Sequence, residues 1–383
     1  MRKYLFALSV LLAASAASAA GAPDFDGRRA SGPALPELQA PAPEAPAPSS
    51  AFHLPFYTQS ETEIPYGTGQ RALRRGPLTA EERLAELDFV TGKIESVYSH
   101  LENKQKIYGF SYEALKAATR ARVLAAAGDA DYRAAMAALM NAFHDPHSNI
   151  YFYDRSGEKA AAERPVTNTL TEDGILVTRI ATLSVNYKDD IVKGLDESVE
   201  LAQKARALVV DVRGNHGGND GYSMDYIARL IDHPVPTGVI SVKISSETQA
   251  RYDGKLQDDP ARPGWTPWDN WNIPPAPGSS PFKGPVAMLI DGGCVSSCEG
   301  TAVLFKFSGM ARLYGATTMG SSGYPVMIPL PYSDGGLRLS TWIQLQPDGT
   351  PIEDHGITPD VPTEPAAALD RALADIRSSL PPR

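Results

Sequence analysis

ALVVDVRGNHGG, residues 207–218, opens with a continuous apolar run and ends in a polar, glycine-rich turn. Ala207 to Val212 is of strand length and carries three valines, and Asp211 is its one polar residue. No hydrophobic/polar alternation interrupts it, so the run reads as a strand covered on both faces, which is the habit of parallel sheets. Working outward, Gly174–Ile180 reads as a strand and Ile191–Ala205 as a helix before this run. After it come a helix over Ser223–Ile231, an extended stretch over Val239–Ile244 and a second buried strand over Val286–Asp291. A helix from Ser297 to Phe307, strands at Arg312–Tyr314 and Leu337–Gln344, and a closing helix over Pro365–Ser379 complete the pattern. Strands alternating with helices predict an α/β core with a partly parallel sheet over residues 165–380. Residues 245–284 interrupt it with a Pro-, Gly- and Trp-rich insertion holding Trp265, Trp268 and Trp271. A loop that long is functional or mobile as a rule. Its tryptophans fit either a substrate-contact lid or a cluster that packs the loop onto the core.

Residues 51–150 precede this core as an irregular lead-in and a helical subdomain. Thr79, with Glu81 and Glu82 behind it, has the form of a capped helix start, and Leu84, Leu87, Val90, Ile94 and Val97 supply an apolar stripe. Further helices are predicted over Tyr112–Ala127 and Asp131–Phe143. Residues 21–50 are Pro/Ala-rich and read as a disordered linker. Residues 1–20 combine Arg2 and Lys3, an apolar stretch and the small run Ala17-Ser18-Ala19-Ala20, the pattern of a cleavable signal peptide. The expected location is periplasmic or secreted, with no membrane span in the mature chain. A net charge of −9 over 383 residues speaks against nucleic acid as a partner, because phosphate neutralisation needs a basic face.

Chemistry-bearing residues gather at four places where a buried element ends: His144-Asp145-Pro146-His147-Ser148, the 211–218 turn, Asp291 to Glu299, and Ile352 to Asp360. They hold hydroxyls, imidazoles, carboxylates and glycine amides, the parts of a serine acyl-transfer site. There is no P-loop, dinucleotide fingerprint or G-x-S-x-G elbow, so no cofactor is expected. Without H-E-x-x-H or paired-Cys spacing, no metal is expected either. The two cysteines, Cys294 and Cys298, bracket Ser296. They are either a disulfide that stiffens this turn or two small buried residues.

The ordered set DVRGNHGG, GGCVSSCEG, GATTMGSSG and EDHGITPDV resembles the C-terminal-processing (tail-specific) serine peptidases and their tricorn-core relatives, over roughly residues 130–375. The resemblance implies a ClpP/crotonase-like ββα superhelical core and a nucleophile three residues before the glutamate of the following helix, which is Ser296. It implies an oxyanion hole from the backbone of Ser297 and the Gly217-Gly218 turn, with Gly217 favoured. The bacterial processing enzymes carry a lysine base in a T-x-G-K segment, where this chain has Ser321. The tricorn-like branch instead uses a histidine supported by a carboxylate, and the matching positions are His147 and Glu353. His144, His216 and His355 are the rival imidazoles, Asp354 the rival carboxylate, and Ser148 a candidate relay hydroxyl. The gap from Ser148 to Gly174 is too short for a PDZ domain. The expected partner is a protein or peptide substrate, cleaved through an acyl-enzyme. The same fold also serves as a non-catalytic carrier of hydrophobic ligands or peptides, which is the alternative function.

Overall fold

A computed structural model of the chain describes residues 76–152, 164–278 and 280–381. The expected signal peptide (1–20), the linker (21–50) and most of the lead-in lie outside the described residues. Four helices come first: α1 (Ala80–Val97), α2 (Leu101–Tyr108), α3 (Tyr112–Ala125) and α4 (Asp129–Asn141). Thr79 caps α1 as expected, its hydroxyl accepting from the Glu82 amide at 3.1 Å while the Glu82 carboxylate accepts from the Thr79 amide at 2.8 Å. α2 has no counterpart in the sequence reading.

The strands are β1 (Asn149–Phe152), β2 (Val166–Leu170), β3 (Ile175–Ile180), β4 (Ala207–Asp211), β5 (Val235–Val242), β6 (Asp269–Ile273), β7 (Val286–Ile290), β8 (Ala311–Gly315), β9 (Val326–Pro329), β10 (Gly335–Leu339), β11 (Trp342–Leu345) and β12 (Val361–Pro362). The remaining helices are α5 (Lys188–Ala202), α6 (Asp220–Ala228), α7 (Ser246–Arg251), α8 (Ser297–Phe307) and α9 (Ala368–Ser379). A six-stranded sheet, in the order β12-β8-β7-β4-β3-β2, is parallel except for the β2/β3 pair. β4 and β7, every residue buried, form its centre. One face packs on α5, α6 and α8 through Leu208, Val210, Met288, Val303 and Phe305, and the other on α9 through Val209, Leu289, Ala372 and Ile376.

The predicted Leu337–Gln344 strand is two strands in two sheets. β10 pairs with β1 and β9, whereas β11 pairs with β5. The chain breaks at Ser340-Thr341 because both turn inward for polar partners: the Ser340 hydroxyl donates to Asp145 Oδ2 at 2.9 Å and the Thr341 amide to the Gly323 carbonyl at 2.7 Å. β9 and β10 also complete the core of the helical subdomain, where Ile328, Leu337 and Leu339 meet Leu87, Ile94, Met136 and Phe143. The 245–284 insertion is packed down rather than loose. It contains α7 and β6, and Trp271 lies against the core while Arg262 stacks over Trp265 at 3.8 Å.

Candidate active site

Ser296 sits between the end of β7 and the first turn of α8. Its φ of 63° lies in the left-handed region, which a residue with a side chain adopts only when its surroundings force it. Those surroundings are visible. Its amide donates to the Ser321 carbonyl and to Glu299 Oε2, both at 3.2 Å. A Cys294–Cys298 disulfide, with Cα atoms 5.3 Å apart, spans the turn. Glu299 is fully buried and also accepts from Thr318 Oγ1 (2.6 Å), the Gly320 amide (2.7 Å) and the Ser321 amide (2.9 Å). This carboxylate therefore pins the 318–321 segment to the serine turn. Burial pushes Glu299 up to about 7, and these donors oppose the rise.

Gly217 abuts the same turn. A Cβ there would lie 2.7 Å from the Val295 carbonyl oxygen, 2.8 Å from Ser296 Cβ and 2.8 Å from the Ser297 nitrogen, at a φ of 82°. Only glycine fits. Its own amide donates to Asn215 Oδ1 at 2.8 Å. The Ser297 amide belongs to the first turn of α8, where the helix offers no backbone acceptor and the positive end of the helix dipole lies.

His147 follows α4 on a turn shaped by Asp145, whose Oδ1 accepts from the His147 amide at 2.8 Å. The ring is buried, and its Nδ1 lies 2.7 Å from the Ser321 hydroxyl. That hydroxyl reaches Asp145 Oδ1 at 3.4 Å. Ser321 thus touches both halves of the site, Ser296 through its carbonyl and His147 through its side chain. Burial pushes the His147 imidazole down to about 3, with the charge of Arg338 adding to the effect and Asp145 opposing it.

Glu353 is one residue removed from this contact. Its Oε2 accepts from the Ser322 amide at 2.9 Å, and its Oε1 lies 2.6 Å from Lys104 Nζ, off-line for a hydrogen bond. The structure places it against Lys104 and near His100 (3.9 Å), and none of its hydrogen bonds goes to the His147 ring. Burial raises its carboxyl well above the usual range, Lys104 opposing and the neighbouring Asp145 and Asp354 adding. Among the rivals, His144 is exposed and stacks on Tyr108 at 4.2 Å, His216 is exposed, and His355 Nδ1 meets the Glu353 carbonyl at 2.9 Å. Ser148 Oγ accepts from the Ser340 amide at 3.0 Å.

Four participants escaped the sequence reading as participants: Lys104, His100, Asp145 and the side chain of Ser321. Asp145 and Ser321 lay inside motifs already singled out, but Lys104 and His100 carried no motif. Among the described residues no group of three or more His, Cys, Asp or Glu is placed to hold a metal, and no helix is long and apolar enough to cross a membrane.

The profile of peptidase family S41 matches residues 174–363, which spans the glycine turn, the Ser296 turn and Glu353. This chain belongs to peptidase family S41. A carboxy-terminal-processing protease of Bartonella bacilliformis is 36% identical over 163 residues, covering 42% of this chain and 32% of that protein. The match thus spans about a third of the curated relative's length. Among solved structures, mature CPAF superposes with a TM-score of 0.60 at 10% identity, over 77% of this chain and 95% of CPAF. A chain from Parabacteroides merdae gives 0.61 at 15% identity, over 79% of this chain and 100% of its own length. A lipoprotein of Streptococcus agalactiae gives 0.54 at 14%, over 81% and 100%. At these identities the superpositions establish the shared fold. The S41 profile begins after His147, so the histidine segment of this S41 chain rests on its own geometry.

Proposed function

We propose that the chain is an exported serine endopeptidase that cleaves peptide bonds through an acyl-enzyme on Ser296. One observation carries this reading: a strained serine at a helix N-terminus is joined through Ser321 to a buried histidine. In the first step the Ser296 oxygen attacks the substrate carbonyl carbon. His147 accepts the hydroxyl proton on Nε2 while its Nδ1 stays on the Ser321 hydroxyl. The proton then passes to the departing amine as the C–N bond breaks, and water repeats the sequence to release the acid. The Ser297 amide stabilises the oxyanion. Gly217 supplies the second donor once its amide exchanges Asn215 for the substrate oxygen. Glu353 orients the site through the Ser322 amide, and Asp145 holds the His147 turn from the other side.

The paired cysteines support export, because disulfides persist in oxidising compartments and are rare in the cytosol. Lys104 is not a substitute for the family's lysine base. Its pKa is raised because Glu353 and Asp354 hold it in the charged form, and their pull outweighs the burial that alone would lower it. The serine at position 321 gives the carrier reading its one specific support. A fluorophosphonate probe separates the two. Native protein is expected to label on Ser296, and Ser296→Ala to lose both labelling and peptide cleavage with its thermal unfolding unchanged. Labelling that survives in Ser296→Ala would move the nucleophile elsewhere. Native, folded protein that never labels would favour the binding module.

A further inference from the structure

Lys104 is a fully buried side chain on α2, and the only residue of that helix that is fully buried. A lysine so placed keeps its charge only if its partners replace the water it has lost. The partners here come from two separate turns. Nζ lies 2.8 Å from each carboxylate oxygen of Asp354 and 2.6 Å from Glu353 Oε1, and it donates to the His144 carbonyl at 3.4 Å. Tyr108, one helical turn further along α2, donates to Asp354 Oδ1 at 2.7 Å and stacks on the His144 ring.

Both turns are strained at the residues this helix grips. His144 has a φ of 50° and Asp354 a φ of 63°. Such conformations are uncommon for a residue with a side chain and persist where neighbours hold them. Both turns also lead directly to the His147 ring. His144 begins the turn in which Asp145 holds the His147 amide. The Asp354 amide donates to the Gly320 carbonyl at 2.8 Å, and Glu353 accepts from Ser322, so the 353–354 turn fixes Ser321 from both sides.

We propose that Lys104 is a positioning residue of this site, its ammonium clamping the turn that carries His147 to the turn that places Ser321 against the His147 ring. The inference rests on the reading of Ser296 and His147 as nucleophile and base. Lys104 is the counter-ion that Asp354 meets with both carboxylate oxygens, in a buried cluster that also holds Glu353 and Asp145, so deleting the cation alone leaves a buried carboxylate without its partner. Lys104→Met is therefore expected to destabilise the fold. Lys104→Met/Asp354→Asn removes one charge of each sign and is expected to regain stability without regaining the clamp.

The test measures thermal unfolding, the fluorophosphonate labelling rate of Ser296, and the titration of the His147 ring by NMR. The double variant is expected to unfold near the wild-type temperature and to label at least about ten-fold more slowly, the scale of a misplaced general base. Its His147 ring, faced by Asp145, His100 and Arg338, is expected to titrate closer to free imidazole as the turn loosens. A folded double variant with the wild-type labelling rate and unchanged ring signals overturns the proposal. Should neither Met variant fold, Lys104→Arg decides, because wild-type labelling there would mean that charge suffices and placement does not matter. Wild-type protein that does not label fails the peptidase reading instead. The ring signals then still test the clamp, and unchanged signals overturn it.

Discussion

As the proposed base, His147 is dehydrated to a degree unusual for that role. An imidazole titrates near 6.5 in an unfolded chain, but burial and the Arg338 charge push this one down to about 3. Between those values the unfolded chain binds a proton that the native protein refuses. This contribution to stability is therefore complete above about pH 6.5 and is lost as pH falls toward 3. The same shift keeps the ring neutral, and able to accept a proton, well into acid. We expect kcat/KM to vary by less than about two-fold between pH 5 and 8, with the acid loss following unfolding rather than a separate inflection. A clean ionisation near 6.5 in the pH–rate profile of folded protein would mean that the working site hydrates His147. Ser296, His147 and Gly217 stand out in the sequence as candidates because each sits in a run whose residue types have no bland reason to be together, and the structure brings those runs to one place. Their partners stand out less. Asp145 is identified by the bonds it accepts from the His147 amide and from the Ser340 and Ser321 hydroxyls, and Ser321 by a side-chain contact across 174 residues of chain.

Helices and strands that bury apolar residues announce themselves, and α8 and the central strands lie where the pattern put them. α2 does not, because its sequence LENKQKIY has no apolar stripe and what it buries is a charge. Hydrophobic periodicity is blind to such a helix. The division of 337–344 into β10 and β11 was hidden for a related reason, since the break is made by Ser340 and Thr341 reaching polar partners in distant segments. At the Ser296 turn the decisive constraint is close approach. Gly217→Ala would force a methyl against Ser296 Cβ and the Val295 carbonyl at under 3 Å, in a left-handed conformation. We expect a loss of about 1–3 kcal/mol in stability and at least about a hundred-fold in probe labelling, as for loss of an oxyanion donor. Denaturant unfolding and labelling rates check the two separately. A Gly217→Ala protein that labels normally would show that this turn is not part of the oxyanion site.

The proposed nucleophile and the proposed base stand on different hydrophobic cores. Ser296 stands on the turn between β7 and α8, over the core of the six-stranded sheet, whereas His147 leaves the helical core that β9 and β10 complete from the far end of the sequence. Glu86 joins these two stretches of chain. It is fully buried on α1, and it accepts from Tyr132 Oη on α4 at 2.8 Å and from the Tyr332 and Ser333 amides, both at 2.7 Å, in the loop between β9 and β10. Glu86→Ala would strand four donors at once, the Ser333 hydroxyl being the fourth, and open a cavity beneath them. The expected cost is about 3–5 kcal/mol, or a Tm lower by about 6–20 °C in a domain of this size. Because the affected contacts all lie in the helical core, the loss should begin there. Amide exchange is expected to accelerate first in α1 and α4 and in β9 and β10, while β4 and β7 stay protected. Activity should disappear with the helical core, since His147 leaves with it, and before the sheet beneath Ser296 unfolds. Exchange that rises equally in both cores at one temperature would mean that they unfold as a single cooperative unit, and that the site is not assembled from two separable parts.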